Sequence, residues 1–293
     1  MYKLYVIPGS HACRSAMLML EHKRVPYRRV DIVTLLHPVA VRLLGFDAGG
    51  QTRTAGRHRT PGLRIGDRLG TVPALAADGN RISTNHGIAR FLDDRHPEPP
   101  LFPDDPERRA QVEEAEEWAN ETLQMAARRI PAGAFIRDPA TVSRLTGEGR
   151  MGYLLYKRAL ARRLIIPWIL RGIFAAGPSA EPEVLAELPA MLDRIDAWIA
   201  EGVLNGPELN AADFMVAPSL ALIETMAMAL ADNGRFAEAV ARQRQAIAMA
   251  TQARRTDLVT RLSENLRRYE SNMPSRTPWA DDDPVHFPRA ALR

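Results

Sequence analysis

Cysteine is all but missing from this chain: Cys13 is the only one. No intramolecular disulfide can form, so a reducing compartment, the cytoplasm, is expected. Long apolar runs are missing too. The most apolar stretch, from Leu164 to Ala176, is short and holds Pro167, Trp168 and Arg171. It reads as a buried helix, and no membrane association is expected. The opening Met1 to Pro8 has no long apolar segment and no small-residue cleavage site, so no signal peptide is expected there. The histidines, from His11 to His286, are scattered, without a His-Glu-x-x-His pattern or a cysteine pair, so no metal is expected. There is no Walker-type phosphate loop and no Gly-x-Ser-x-Gly nucleophile elbow. Excess charge is small, +4, and arginine carries it far more than lysine. That balance tolerates small anionic ligands but does not argue for nucleic acid.

What remains is ordinary globular composition, 46% hydrophobic and 25% charged over 293 residues, enough for one or two domains. Lys3 to Ile7 is a short apolar run stopped by Pro8-Gly9 and reads as a strand and turn. Ser10 can cap the helix that follows, in which Cys13, Ala16, Met17 and Leu20 recur at helical spacing. Val25-Pro26 ends it, and Tyr27 to Val33 alternates as a second strand. Val39 to Phe46 predicts a helical turn or two. From Asp47 to Gly70 the chain is rich in Gly, Thr and Arg and has no helix period. It reads as a long mobile insertion: either a basic, anion-binding lid or merely solvated chain. Thr71-Val72-Pro73-Ala74-Leu75 predicts a strand with a proline at an edge, Asp78-Gly79-Asn80 a hairpin turn, and Arg81-Ile82-Ser83 the returning strand. Asn85 starts a helix, and the proline-rich run from His96 to Pro103 is a linker.

Everything after it is helical. Helices are expected over 105–129, 151–174, 183–200, from Asn210 through Met226, and over 236–253 and 257–271. The sharpest local signal is Leu209-Asn210-Ala211-Ala212-Asp213-Phe214. Asn210 can cap a helix, Asp213 can reach back to the Asn210 amide, and Leu209 and Phe214 can close a hydrophobic staple.

The order βαβα, Val-Pro, ββα, then helices, resembles the cytosolic glutathione transferases. Four motifs carry the likeness, which covers about residues 2 to 222: Ile7-Pro8-Gly9-Ser10-His11-Ala12-Cys13-Arg14; Thr71 to Leu75; Thr84-Asn85-His86-Gly87-Ile88-Ala89-Arg90-Phe91-Leu92; and Asn210 to Phe214. It implies an α/β thioredoxin-like N-terminal domain (βαβαββα), residues 1–96, and an all-α bundle, residues 104–232. Residues 233–293 form a further helical hairpin and polar tail. There Gly234, Phe236, Ala239 and Ala246-Ile247 have the spacing of a tetratricopeptide repeat, with Gln243 where an aromatic is usual. From about residue 224 the chain reads either as a replacement for the transferase's last helices or as an appended or chimaeric fragment.

The resemblance also implies a function: conjugation of glutathione, a co-substrate, to a small apolar electrophile. Ser10 matches the catalytic serine of serine-type transferases. A free thiol has a pKa of roughly 8.5, so thiolate at neutral pH needs about 2 kcal/mol of help. One hydrogen bond to the anion supplies roughly 1.5–3 kcal/mol, and a helix N-terminus about 0.3–1 more. His11 is either an assistant in proton transfer or a solvated loop residue. Cys13 is either a thiol of lowered pKa, suited to glutathione-dependent disulfide exchange, or a small buried residue. Arg14, Val72, Pro73, Thr84 and Asn85 are the implied glutathione-binding residues. A cis bond before Pro73 would present the Val72 backbone to the peptide. Thr84 and Asn85 stand where the family usually carries an acidic residue and Ser. Both can hydrogen-bond the glutamyl carboxylate, but neither can ion-pair its ammonium group, for which Asp93 or Asp94 could substitute. A homodimer is implied by the likeness. A rival reading is a non-catalytic interaction module that uses the fold as a scaffold and the terminal hairpin as the contact for a protein partner.

Overall fold

The computed structural model describes residues 1–7, 10–32, 36–47, 70–137, 167–168, 170–171, 176–177, 179–232, 234, 236–252 and 256–274. The expected Pro8-Gly9 turn, nearly all of the basic insertion at 47–70, most of the expected helix at 151–174 and the polar tail lie outside them.

The N-terminal domain is a four-stranded sheet in the order β2-β1-β3-β4. β1 (Tyr2–Val6) runs parallel to β2 (Tyr27–Asp31), while β3 (Ala74–Ala77) and β4 (Asn80–Ser83) are antiparallel additions. Tyr2, Leu4 and Val6 alternate inward along β1, as a strand of period two requires. The crossover helix α1 (His11–His22) buries residues on nearly every face, from His11 through Leu20. It is covered twice, and so departs from the single apolar stripe of a surface helix. α2 (His37–Leu43) follows β2, and α3 (Asn85–Arg95) follows β4. β3 starts three residues later than expected. Pro73 has no amide to give a ladder, so pairing begins only at Ala74, opposite Tyr5. The Val72–Pro73 bond is cis, as is Glu98–Pro99.

The helical domain begins with α4 (Pro106–Trp118), a π-helical turn (Ala119–Leu123) and α5 (Gln124–Arg137) in unbroken succession. α6 (Ala180–Ala200), α7 (Ala211–Asp232), α8 (Phe236–Gln252) and α9 (Thr256–Glu270) complete the described elements. α7 is the hub, packing against α1, α4, α5 and α8. It opens with the capping box expected from sequence. The Ala212 amide donates to Asn210 Oδ1 at 2.9 Å, and the Asn210 amide donates to Asp213 Oδ2 at 3.0 Å. Asp213 also accepts from the Asn205 amide at 2.7 Å, which ties the preceding loop to the same cap. α8 and α9 pair with each other. Their small core holds Ala239 and Tyr269, and Gln243 donates to the Leu262 carbonyl at 2.9 Å.

The linker is held by one lysine. Lys23 is buried and spends all three ammonium protons: on Asp93 Oδ1 (2.7 Å) and on the carbonyls of His96 (2.6 Å) and Pro97 (3.2 Å). Asp93 also accepts from the Leu101 amide at 2.7 Å. Both bonds fall on Oδ1 of the carboxylate named above as a possible partner for a ligand's ammonium group. No described helix is long and apolar enough to cross a membrane.

Candidate functional site

The sheet register gathers the expected site at one end. β1 leaves the sheet at Val6 towards Ser10, and its neighbour β3 enters from Val72-Pro73 at that same end. β4 finishes there as well, Ser83 opposite Ala74, with the Thr84 amide donating to the Pro73 carbonyl at 3.3 Å. α1 and α3 therefore both begin at this edge, and each presents the unpaired amides and positive dipole end of a helix N-terminus.

Ser10 caps α1. Its backbone is extended, and its Oγ accepts from the Cys13 amide at 3.3 Å. A hydroxyl that accepts still has its own proton to give. Ser10 is only part-buried, so that proton is within reach of a ligand. The same hydroxyl also faces the Cys13 sulfur. Thr84 caps α3 by accepting from the Gly87 amide at 3.1 Å. Its backbone sits at φ 72, ψ 151, a region costly for a β-branched residue, by roughly 1–3 kcal/mol. Asn85 is 1% exposed, and its Oδ1 has no hydrogen-bond partner. Between the two caps, the Val72 amide has no backbone partner among the described residues.

The structure decides between the alternatives left open at His11 and Cys13. His11 is not a solvated residue but a buried one, 8% exposed. Its ring donates to the Gln124 carbonyl, leaving Nε2 without a partner, and burial pushes its pKa well below the usual imidazole range. Only the packing of the helical domain onto α1 creates that environment. The Cys13 thiol does not have a lowered pKa. Burial raises it, and the opposing help from Ser10, the Ile7 backbone, Arg128 and Arg29 is smaller. Arg14 lies in the first turn of α1. Its charge acts on Glu21 and on Tyr27 among other groups.

One functional candidate escaped the sequence reading. Arg128 projects from α5 towards the start of α1. Its Nη2 donates to Gln124 Oε1 at 2.6 Å, and its Nη1 lies 3.6 Å from Met125 Sδ. The residue is part-buried, and desolvation of its guanidinium lowers its pKa to about 10. Its charge reaches His11, Cys13 and His37. The only hint in the sequence is an Arg-Arg pair set among Ala126, Ala127 and Ile130. Among the described residues no group of three or more His, Cys, Asp or Glu is placed to hold a metal ion.

A parallel pair followed by an antiparallel hairpin, with the cis Val72–Pro73 bond ahead of β3, is a thioredoxin-like domain; a helical domain follows it. No family model and no curated protein sequence matches the chain. Solved structures with a similar chain path include a glutathione S-transferase from Rhodospirillum rubrum F11, at 19% identity and TM-score 0.49 over 98% of this chain and 100% of that one. FzlA from C. crescentus is similar at 18% identity and TM-score 0.49, over 98% and 99% of the two chains. A glutathione transferase from Populus trichocarpa is similar at 16% identity and TM-score 0.47, over 91% and 99%. The first and third bear the name of the family that the four motifs resemble. At such identities the site's own residues decide the reaction.

Proposed function

We propose that the chain is a glutathione transferase-like enzyme that joins the glutathione thiolate to a small electrophile. The observation that carries the reading is the pair of capped helix N-termini at one sheet edge, with the Val72 amide between them. A tripeptide thiol with anionic groups matches that layout. Its thiolate lies at Ser10, its backbone pairs with Val72 beside Pro73 as an added strand, and its glutamyl carboxylate meets the α3 terminus at Thr84 and Asn85. The thiol proton leaves to water. The sulfur pair then forms the bond to the electrophilic carbon, and the leaving group departs with its bonding electrons. The electrophile lies between the sheet edge and the helical domain. Burial of Cys13 keeps its thiol protonated, which speaks against disulfide exchange as the main activity.

The test is conjugation of 1-chloro-2,4-dinitrobenzene by the wild type and by Ser10→Ala. The reading expects a loss in the variant and an alkaline shift of the pH–rate profile. Equal rates and equal profiles would remove Ser10 from the mechanism. Pairing of two chains belongs to the same proposal, and sedimentation velocity checks it.

A further inference from the structure

Arg128 places a full positive charge at depth, and the described residues supply it with no carboxylate. Its bonds are to an amide oxygen and a thioether, both neutral. The titratable groups that feel its charge are His11, His37 and Cys13. None of them is an anion at neutral pH. His37 is lowered to about 4 and His11 well below its usual value, both first by burial, and the Cys13 thiol is raised. A desolvated cation without a counter-charge is costly to keep. Two of the guanidinium's five donors are engaged, which leaves others for a ligand.

A second, independent observation points the same way. Gln124 is 1% exposed, and its Oε1 is fixed by Arg128, while its Nε2 is buried with no hydrogen-bond partner. A buried amide donor without an acceptor is rare in a folded chain. It stands one helical turn from Arg128, on the stretch of α5 that contacts His11 at the mouth of α1. Ser10 with the α1 terminus is already sufficient in size to hold a thiolate. The cation on the helical-domain side is therefore left for the other reactant.

We propose that the Arg128 guanidinium and the Gln124 amide bind a carboxylate on the electrophile, so that acidic electrophiles are the favoured second substrates. This rests on the conjugation reading above and names the substrate class of that same cleft.

The test compares 4-chloro-3,5-dinitrobenzoate with its neutral analogue 1-chloro-2,4-dinitrobenzene at saturating glutathione, in wild type, Arg128→Met and Arg128→Lys. The wild type should favour the benzoate. Arg128→Met should lose about 10- to 100-fold in kcat/KM for the benzoate, the worth of one charge-assisted hydrogen bond, and change little towards the neutral compound. Arg128→Lys, which keeps the charge without the fork, should fall between. Equal losses on both substrates with an alkaline shift of the pH–rate profile would assign Arg128 to the thiolate and overturn the proposal. So would a raised KM for glutathione alone, or no change. Calorimetry with 3,5-dinitrobenzoate and no glutathione separates this inference from the one beneath it. Binding that Arg128→Met abolishes supports the carboxylate site even if no conjugation is ever seen, and equal binding by both proteins refutes it.

Discussion

At the residue scale the decisive atoms are few, and their local roles differ in legibility. That Ser10 caps a helix follows from its place before an amphipathic run, and the 3.3 Å contact from the Cys13 amide has that geometry. That His11 is buried does not follow, because its neighbours come from α5, more than a hundred residues later in the chain. Arg128 was hidden for the same reason: a residue's charge is in the sequence, but its desolvation is not. Ser10→Ala should lower kcat/KM about 30-fold, the equivalent of about 2 kcal/mol of thiolate stabilisation. Cys13→Ala should conjugate at the wild-type rate. It should lose about 1 kcal/mol of stability in urea melts, since Cys13 is 2% exposed in the main core.

At the scale of elements, the sequence was most informative where side chain and backbone close a local ring. The α7 box depends on residues three apart, so Asn210 and Asp213 declare it without help from the rest of the fold. Asn210→Ala also strands the Val203 carbonyl, to which Nδ2 donates at 2.7 Å. The expected cost is roughly 1–3 kcal/mol, read from the urea midpoint at unchanged m. The π-helical turn had no such local signature. Gly70 is a further case. A Cβ there would lie 2.2 Å from Val41 Cγ2 and 3.3 Å from the Pro38 carbonyl, and Val41 is fully buried. Gly70→Ala should therefore loosen α2 and destabilise the fold by roughly 1–3 kcal/mol, seen as a lower Tm.

For the whole molecule, the two domains meet over groups that prefer to be neutral. His37 is lowered to about 4 and His11 is lowered too, in both cases first by burial and then by Arg128. An imidazole depressed in the folded state binds fewer protons than the same group unfolded. Its contribution is present above the unfolded pKa, near 6.5, and is lost as pH falls through the folded one. Stability should decline between about pH 6.5 and 4, with His37 alone worth about 3 kcal/mol across that window. Thermal melts of wild type and His37→Asn check this, and the variant should show the shallower acid limb. Sequence could name both histidines but not this behaviour, since it depends on which helix covers them.

The π-helical turn at Ala119–Leu123 gives that covering its aim. It is one residue more than an α-helix needs, and each residue turns the helix by about 100°. Were the turn to close into plain α-helix while keeping all its residues, everything beyond it would be swung around its axis by about 90–100°. Gln124 and Arg128 would face away from Ser10. The wide turn thus takes up one residue locally and keeps the Arg128 side of α5 turned towards α1.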